Sequence, residues 1–296
     1  MAGPEVEALR EQFRLRDILA MNSVAEMREA VEQLAVIDPA PPEIQRERIN
    51  ASGVDAEWIR PSGVRLDRAI LYLHGGGYVI GSVNSHRALI ARIARAANVQ
   101  ALGVDYRRAP EHPFPAPVED ATAAFRWLLA NGLSANQIAI AGDSAGGGLA
   151  IATLVAVRDA GLPQPACAVA MSPWTDLEAL GESYTTNRKL DNMCHQHGIL
   201  NLARLYLAGQ NPHNPLAAPL YADLHRLPPL LIHVGEAETL LDDSTRIADR
   251  ARAQGVEVEL KKWTDMPHVF QLFLPTIPES IQSIAEIGGF IATHLS

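Results

Sequence analysis

The run Gly142-Asp143-Ser144-Ala145-Gly146 stands between an apolar strand-like segment, residues 137–141, and a small-residue helical segment, residues 146–160. A serine between a strand and a helix, with glycine two positions away on either side, marks a sharp elbow whose strained backbone pushes the hydroxyl into the open. Three fixed positions alone recur by chance too readily to decide a fold, so the flanking segments carry the weight. Some seventy residues earlier a second buried-strand run, residues 69–73, ends in His74-Gly75-Gly76-Gly77-Tyr78. With no Cβ in the way, three successive glycines let backbone N–H groups converge on one small space, which is what an oxyanion hole requires.

Strand-like runs fall at 44–49, 54–59, 69–73, 99–106, 137–141, 166–171, 230–234 and 256–261, and helical runs at 85–97, 116–130, 146–160, 243–254 and 280–294 lie between most of the later ones. The first two strands, separated by Asn50-Ala51-Ser52-Gly53, read as a hairpin. From there strand and helix alternate, which predicts a mainly parallel sheet of eight strands covered by helices on both faces. Residues 6–35 carry apolar residues at helix spacing, Ile18, Leu19, Met27 and Val31 among them, and read as two amphipathic helices ended by the prolines of 38–42. One interval, 182–227, is too long for an ordinary connection; with its helix near 198–207 it reads as an insertion over the site.

At 296 residues the chain is long but fits one large α/β domain, 1–296. A formal net charge of −9 argues against nucleic acid and anionic membrane surfaces as partners. No apolar run approaches the ~20 residues of a membrane span. Residues 1–37 carry Glu and Arg throughout without an apolar centre, so a cytoplasmic protein is expected. Cys167 and Cys194 do not imply a disulfide framework, and Cys194-His195-Gln196-His197 reads as surface rather than as a metal site.

A serine nucleophile needs a base, and the base an orienting carboxylate, in the chain order serine, acid, histidine for elbow-type folds. His233 lies within a strand and His294 in the tail, whereas His268 follows the last strand in the loop 264–270, at the sheet end where such folds bind ligands. The acid has four candidates after the strand 230–234: Glu236, Glu238, Asp242 and Asp243. The last two precede a helix, where a carboxylate often only caps.

At this point the chain resembles the bacterial hormone-sensitive-lipase-like esterases of the α/β-hydrolase fold. The likeness rests on His74-Gly75-Gly76-Gly77, on residues 105–116 (DYRRAPEHPFPA), on Gly142 to Gly147 and on the His268 loop. In that family the acid opens a D-P-L-x-D segment, matched here by Glu238-Thr239-Leu240-Leu241-Asp242, so the resemblance implies Glu238 as the acid before Asp242, with glutamate for aspartate and threonine for proline. It further implies oxyanion donors at Gly76, Gly77 and Ala145, and a helical cap formed by about 1–42 and 182–215. Tyr78, Tyr184 and Leu205 are expected to contact substrate, with core packing an equal reading of Leu205. The implied activity is a serine carboxylesterase acting on short- to medium-chain acyl esters through an acyl-enzyme, with no cofactor or metal, and with pairing into a homodimer through the last strand. Two rivals use the same residues: hydrolysis of an amide or acetylated metabolite, and a non-catalytic small-molecule receptor, since plant gibberellin receptors look like this family but have lost part of the triad.

Overall fold

The computed structural model describes residues 3–15, 17–21, 23–273 and 277–296; residues 1, 2, 16 and 22 of the expected N-terminal cap segment lie outside the described residues. The strands are β1 (Ile44–Ala51), β2 (Val54–Pro61), β3 (Arg65–Leu73), β4 (Val99–Val104), β5 (Ile138–Asp143), β6 (Cys167–Met171), β7 (Leu230–Gly235) and β8 (Val258–Trp263). They form one sheet in the order β1-β2-β4-β3-β5-β6-β7-β8. β2 is antiparallel to both its neighbours, and every other ladder is parallel. The β1–β2 hairpin closes on Ser52 and Gly53, at φ 58° and 97°. Positive φ at both central residues is what a two-residue turn of the right twist demands.

Burial on both faces follows from the strand period of two. On β3, Leu71 and Leu73 join the core with the helices Ala116–Ala130 and Ala145–Asp159, whereas Ile70 and Tyr72 join the core with the helices Val83–Ala96 and Pro278–His294. Each fully buried Leu or Ile contributes about 1.5–3 kcal/mol. Because β4 lies on one side of β3 and β5 on the other, the connections leaving the ends of β3 and β5 run in opposite directions. A crevice opens between them at the carboxyl ends of the strands, the usual ligand position in such sheets.

Close packing at this point dictates glycine. A Cβ on Gly146 would lie 2.0 Å from the Leu73 carbonyl oxygen, and one on Gly142 would lie 2.6 Å from the same atom. Gly289, inside the helix Pro278–His294, has nothing within 4 Å of its virtual Cβ. Urea denaturation should therefore show Gly146→Ala losing roughly 2–4 kcal/mol of stability and Gly289→Ala gaining about 0.5–1 kcal/mol. Equal effects at the two positions would refute the packing argument.

Candidate active site

Ser144 sits between β5 and the helix Ala145–Asp159 at φ 53° and ψ −122°, a conformation that non-glycine residues rarely adopt. Neighbouring chain holds it there. Its N–H donates to the Met171 carbonyl (2.8 Å), and its carbonyl accepts from the N–H groups of Trp174 and Gly148 (3.0 Å each). As the first helical residue, Ala145 has an N–H with no partner inside its own helix.

Facing the elbow, the loop after β3 turns through Gly76 and Gly77 at φ 116° and 59°. The N–H groups of Val79 and Ile80 both donate to the Gly76 carbonyl, closing the turn (3.0 and 2.9 Å). His74 anchors its start: its Nδ1 lies 2.7 Å from the Gly75 carbonyl, its ring stacks on Tyr106 at 4.2 Å, and the Tyr106 hydroxyl donates to its carbonyl (2.7 Å). Burial pushes His74 down to about 3, so near neutral pH the ring is uncharged.

Asp143, beside the serine, is committed to structure. Its Oδ1 accepts from the Tyr72 hydroxyl (2.7 Å) and the Gly75 N–H (3.2 Å), and its Oδ2 meets His86 Nε2 at 3.3 Å. Burial alone would raise this carboxyl; the His86 ring and Tyr72 hydroxyl outweigh it and hold the group below its ordinary value. The resulting cross-link ties the glycine loop to the elbow.

Of the four acid candidates, Glu238 is the one against His268. Glu238 Oε2 lies 2.7 Å from His268 Nδ1, with both residues buried, and Glu238 Oε1 accepts from the Gly235 N–H (3.3 Å). Desolvation raises the Glu238 carboxyl despite the imidazole beside it. Asp242 turns instead to the insertion, where its Oδ2 accepts from the Ser183 N–H (2.9 Å). Asp243 accepts from the N–H groups of Thr175 and Asp176 (2.8 Å each), and burial pushes it up to about 7. Glu236 uses its N–H to bond the Trp263 carbonyl.

Ser144, Gly76, Gly77 and His268 line one cavity of about 130 Å³. Its other walls are mostly apolar: Ile18, Leu19 and Val31 from the N-terminal segment, Met193, Cys194, Ile199 and Leu202 from the insertion, and Trp174, Leu272 and Phe273. Tyr78, Tyr184 and Leu205, the expected substrate contacts, are not among the residues that line this cavity. Tyr78 is fully buried and stacks on Tyr206 (3.8 Å); Tyr184 is buried in the core; and on the helix Gln196–Leu207 the cavity-facing positions belong to Ile199 and Leu202, leaving Leu205 half-buried.

A correction concerns Cys194 alone in the run 194–197, since Gln196 and His197 are exposed as expected. Cys194 is buried and lines the cavity, its thiol against the His268 imidazole, and burial pushes that thiol up to about 11. His195 caps the following helix, accepting from the Gly198 N–H (3.0 Å). The only sequence signal for these pocket residues was apolar spacing in two helical segments, which does not name the surface they face.

The sequence pattern of the alpha/beta hydrolase fold matches residues 70–272. An acetyl-hydrolase of Streptomyces hygroscopicus is 42% identical, over 99% of this chain and 98% of its own. A crystal structure of an esterase from the bacterial hormone-sensitive lipase family superposes with a TM-score of 0.97 at 50% identity over 100% of both chains. The chain belongs to that family. A further structure, of EstE5 soaked with p-nitrophenyl butyrate, gives a TM-score of 0.95 at 45% identity over 99% of both chains. Like its hormone-sensitive-lipase-family relatives, the protein is a carboxylic ester hydrolase, on the α/β-hydrolase fold.

If the apolar wall sets acyl length, Leu202→Ala should raise kcat/KM for hexanoate over acetate esters by about tenfold, a shift within the range for filling or emptying an apolar pocket. An unchanged ratio across a chain-length series would place the acyl group elsewhere.

Proposed function

We propose that the reaction is acyl transfer to Ser144. His268, its Nδ1–H donated to Glu238, presents Nε2 to take the serine proton as Oγ attacks the ester carbonyl. The same nitrogen then protonates the departing alcohol, and water repeats the cycle to free the acid. Gly76, Gly77 and Ala145 N–H groups hold the oxyanion, two from a glycine turn and one from a helix start. The observation that carries this reading is the 2.7 Å contact between His268 Nδ1 and Glu238 Oε2 in the wall of the cavity that holds Ser144.

The residues 1–42 and 182–215 act as a cap in this reading, supported by the side chains that both segments place in the cavity wall. Short- to medium-chain acyl esters fit best, because the mostly apolar cavity around Ser144 is modest, about 130 Å³. A cytoplasmic setting is part of this reading, supported by the two free cysteines; among the described residues no helix is long and apolar enough to cross a membrane.

With p-nitrophenyl butyrate, Ser144→Ala should abolish the nitrophenolate burst, and Glu238→Gln should lower kcat by about 10³-fold or more, against less than about threefold for Asp242→Asn. The reverse ranking of the two acid variants would overturn the triad.

Burial alone would depress His268; the groups against its ring, the Glu238 carboxylate at 2.7 Å among them, outweigh it and hold the imidazole above its ordinary value. Because the base must be neutral, kcat/KM should rise with pH as His268 loses its proton, with a midpoint above ~6.5. A midpoint at or below that value would contradict the placement of the base.

A further inference from the structure

The loop that carries Glu238 is gripped by side chains of the insertion. Asn187 Nδ2 donates to the carbonyls of both Glu236 and Glu238 (2.9 Å each). Ser183 Oγ donates to the Thr239 carbonyl (2.5 Å) and accepts from the Asp242 N–H (3.1 Å). Asp191, buried at 3% exposure, does most: its Oδ2 accepts from the Thr239 N–H (2.8 Å), while its Oδ1 accepts from the N–H groups of Met193 and Cys194 (2.9 Å each). The Thr239 hydroxyl completes the clamp by donating to the Cys194 carbonyl (2.5 Å).

We propose that Asp191 is a positioning residue, with Thr239 as its partner, that locks the acid loop to the insertion and so sets Glu238 and Cys194 against the His268 ring. This rests on the assignment of Glu238 as the triad acid. Its chemistry accounts for the departure at position 239. A proline there, as in the family's D-P-L-x-D segment, has no N–H to give Asp191 and no hydroxyl for Cys194. Threonine supplies both donors. The acid is thereby held by a segment 48 residues away in sequence, and a displacement of about 1 Å at such a group costs on the order of 100-fold in rate.

Asp191→Asn tests it, because an amide that keeps the bonds to Met193 and Cys194 turns its NH₂ toward the Thr239 N–H, donor against donor. The expected result with p-nitrophenyl butyrate is a kcat about 10–100-fold lower with KM changed less than about threefold. In a Glu238→Gln background the same substitution should add less than about threefold, since both act through one imidazole. An unaffected kcat for Asp191→Asn, or the same loss in both backgrounds, overturns the clamp while leaving the triad standing. A near-parental kcat for Glu238→Gln overturns the acid assignment and the clamp together. Should Asp191→Asn not yield folded protein, Thr239→Val, which deletes one hydroxyl at nearly constant volume, carries the same cycle with an expected loss of about 3–10-fold; no loss there overturns the proposal equally.

Discussion

The site depends on two backbones passing closer than side chains would allow. Where β3 ends, the carbonyls of Leu73 and His74 press against Gly146, and the Asp143 carboxylate presses against Gly75, so that any Cβ at these glycines would collide. That contact brings the serine elbow and the glycine turn together across the crevice. It also explains how Ser144 keeps a backbone conformation that costs about 1–3 kcal/mol: the buried strands and helix on either side leave it no relaxed alternative.

Two buried carboxylate–imidazole pairs meet this cavity, Asp143 with His86 and Glu238 with His268. Their chemistry is alike, but their surroundings assign them different work. Both ring nitrogens of His86 are occupied, Nε2 by Asp143 and Nδ1 by Ser85 and Ser82, and Asp143 spends its other oxygen on Tyr72 and Gly75. That pair is a brace for the glycine turn. His268 gives Nδ1 to Glu238 and stands in the cavity wall with Ser144. A buried carboxylate left without its hydrogen-bond partner is costly, so both pairs rigidify the walls between which an ester carbonyl would lie.

The insertion does more than roof the pocket. It supplies Met193, Ile199 and Leu202 to the apolar wall, and its Ser183, Asn187 and Asp191 hold the backbone of residues 236–242. Pocket shape and the placement of Glu238 are therefore coupled through one segment of chain, so that in the proposed mechanism cap and triad are not independent.

Local pattern alone was enough for the strands, the crossover helices, the elbow at Ser144, the glycine turn and the late-strand loop of His268. Each is written in a few consecutive residues: apolar alternation, glycine where backbones meet, a histidine just past a strand. Glu238 needed the family's spacing to stand out from three neighbouring acids, and its contact with His268 came only with the fold. The individual wall residues were not legible: Tyr78, Tyr184 and Leu205 lie outside the cavity lining, while Ile18, Leu19, Val31, Cys194, Ile199 and Leu202, from the two segments expected to form a cap, line it. Helical spacing states that a residue faces inward but not what it faces, because that surface is assembled from segments far apart in the chain and exists only once the sheet has brought them together.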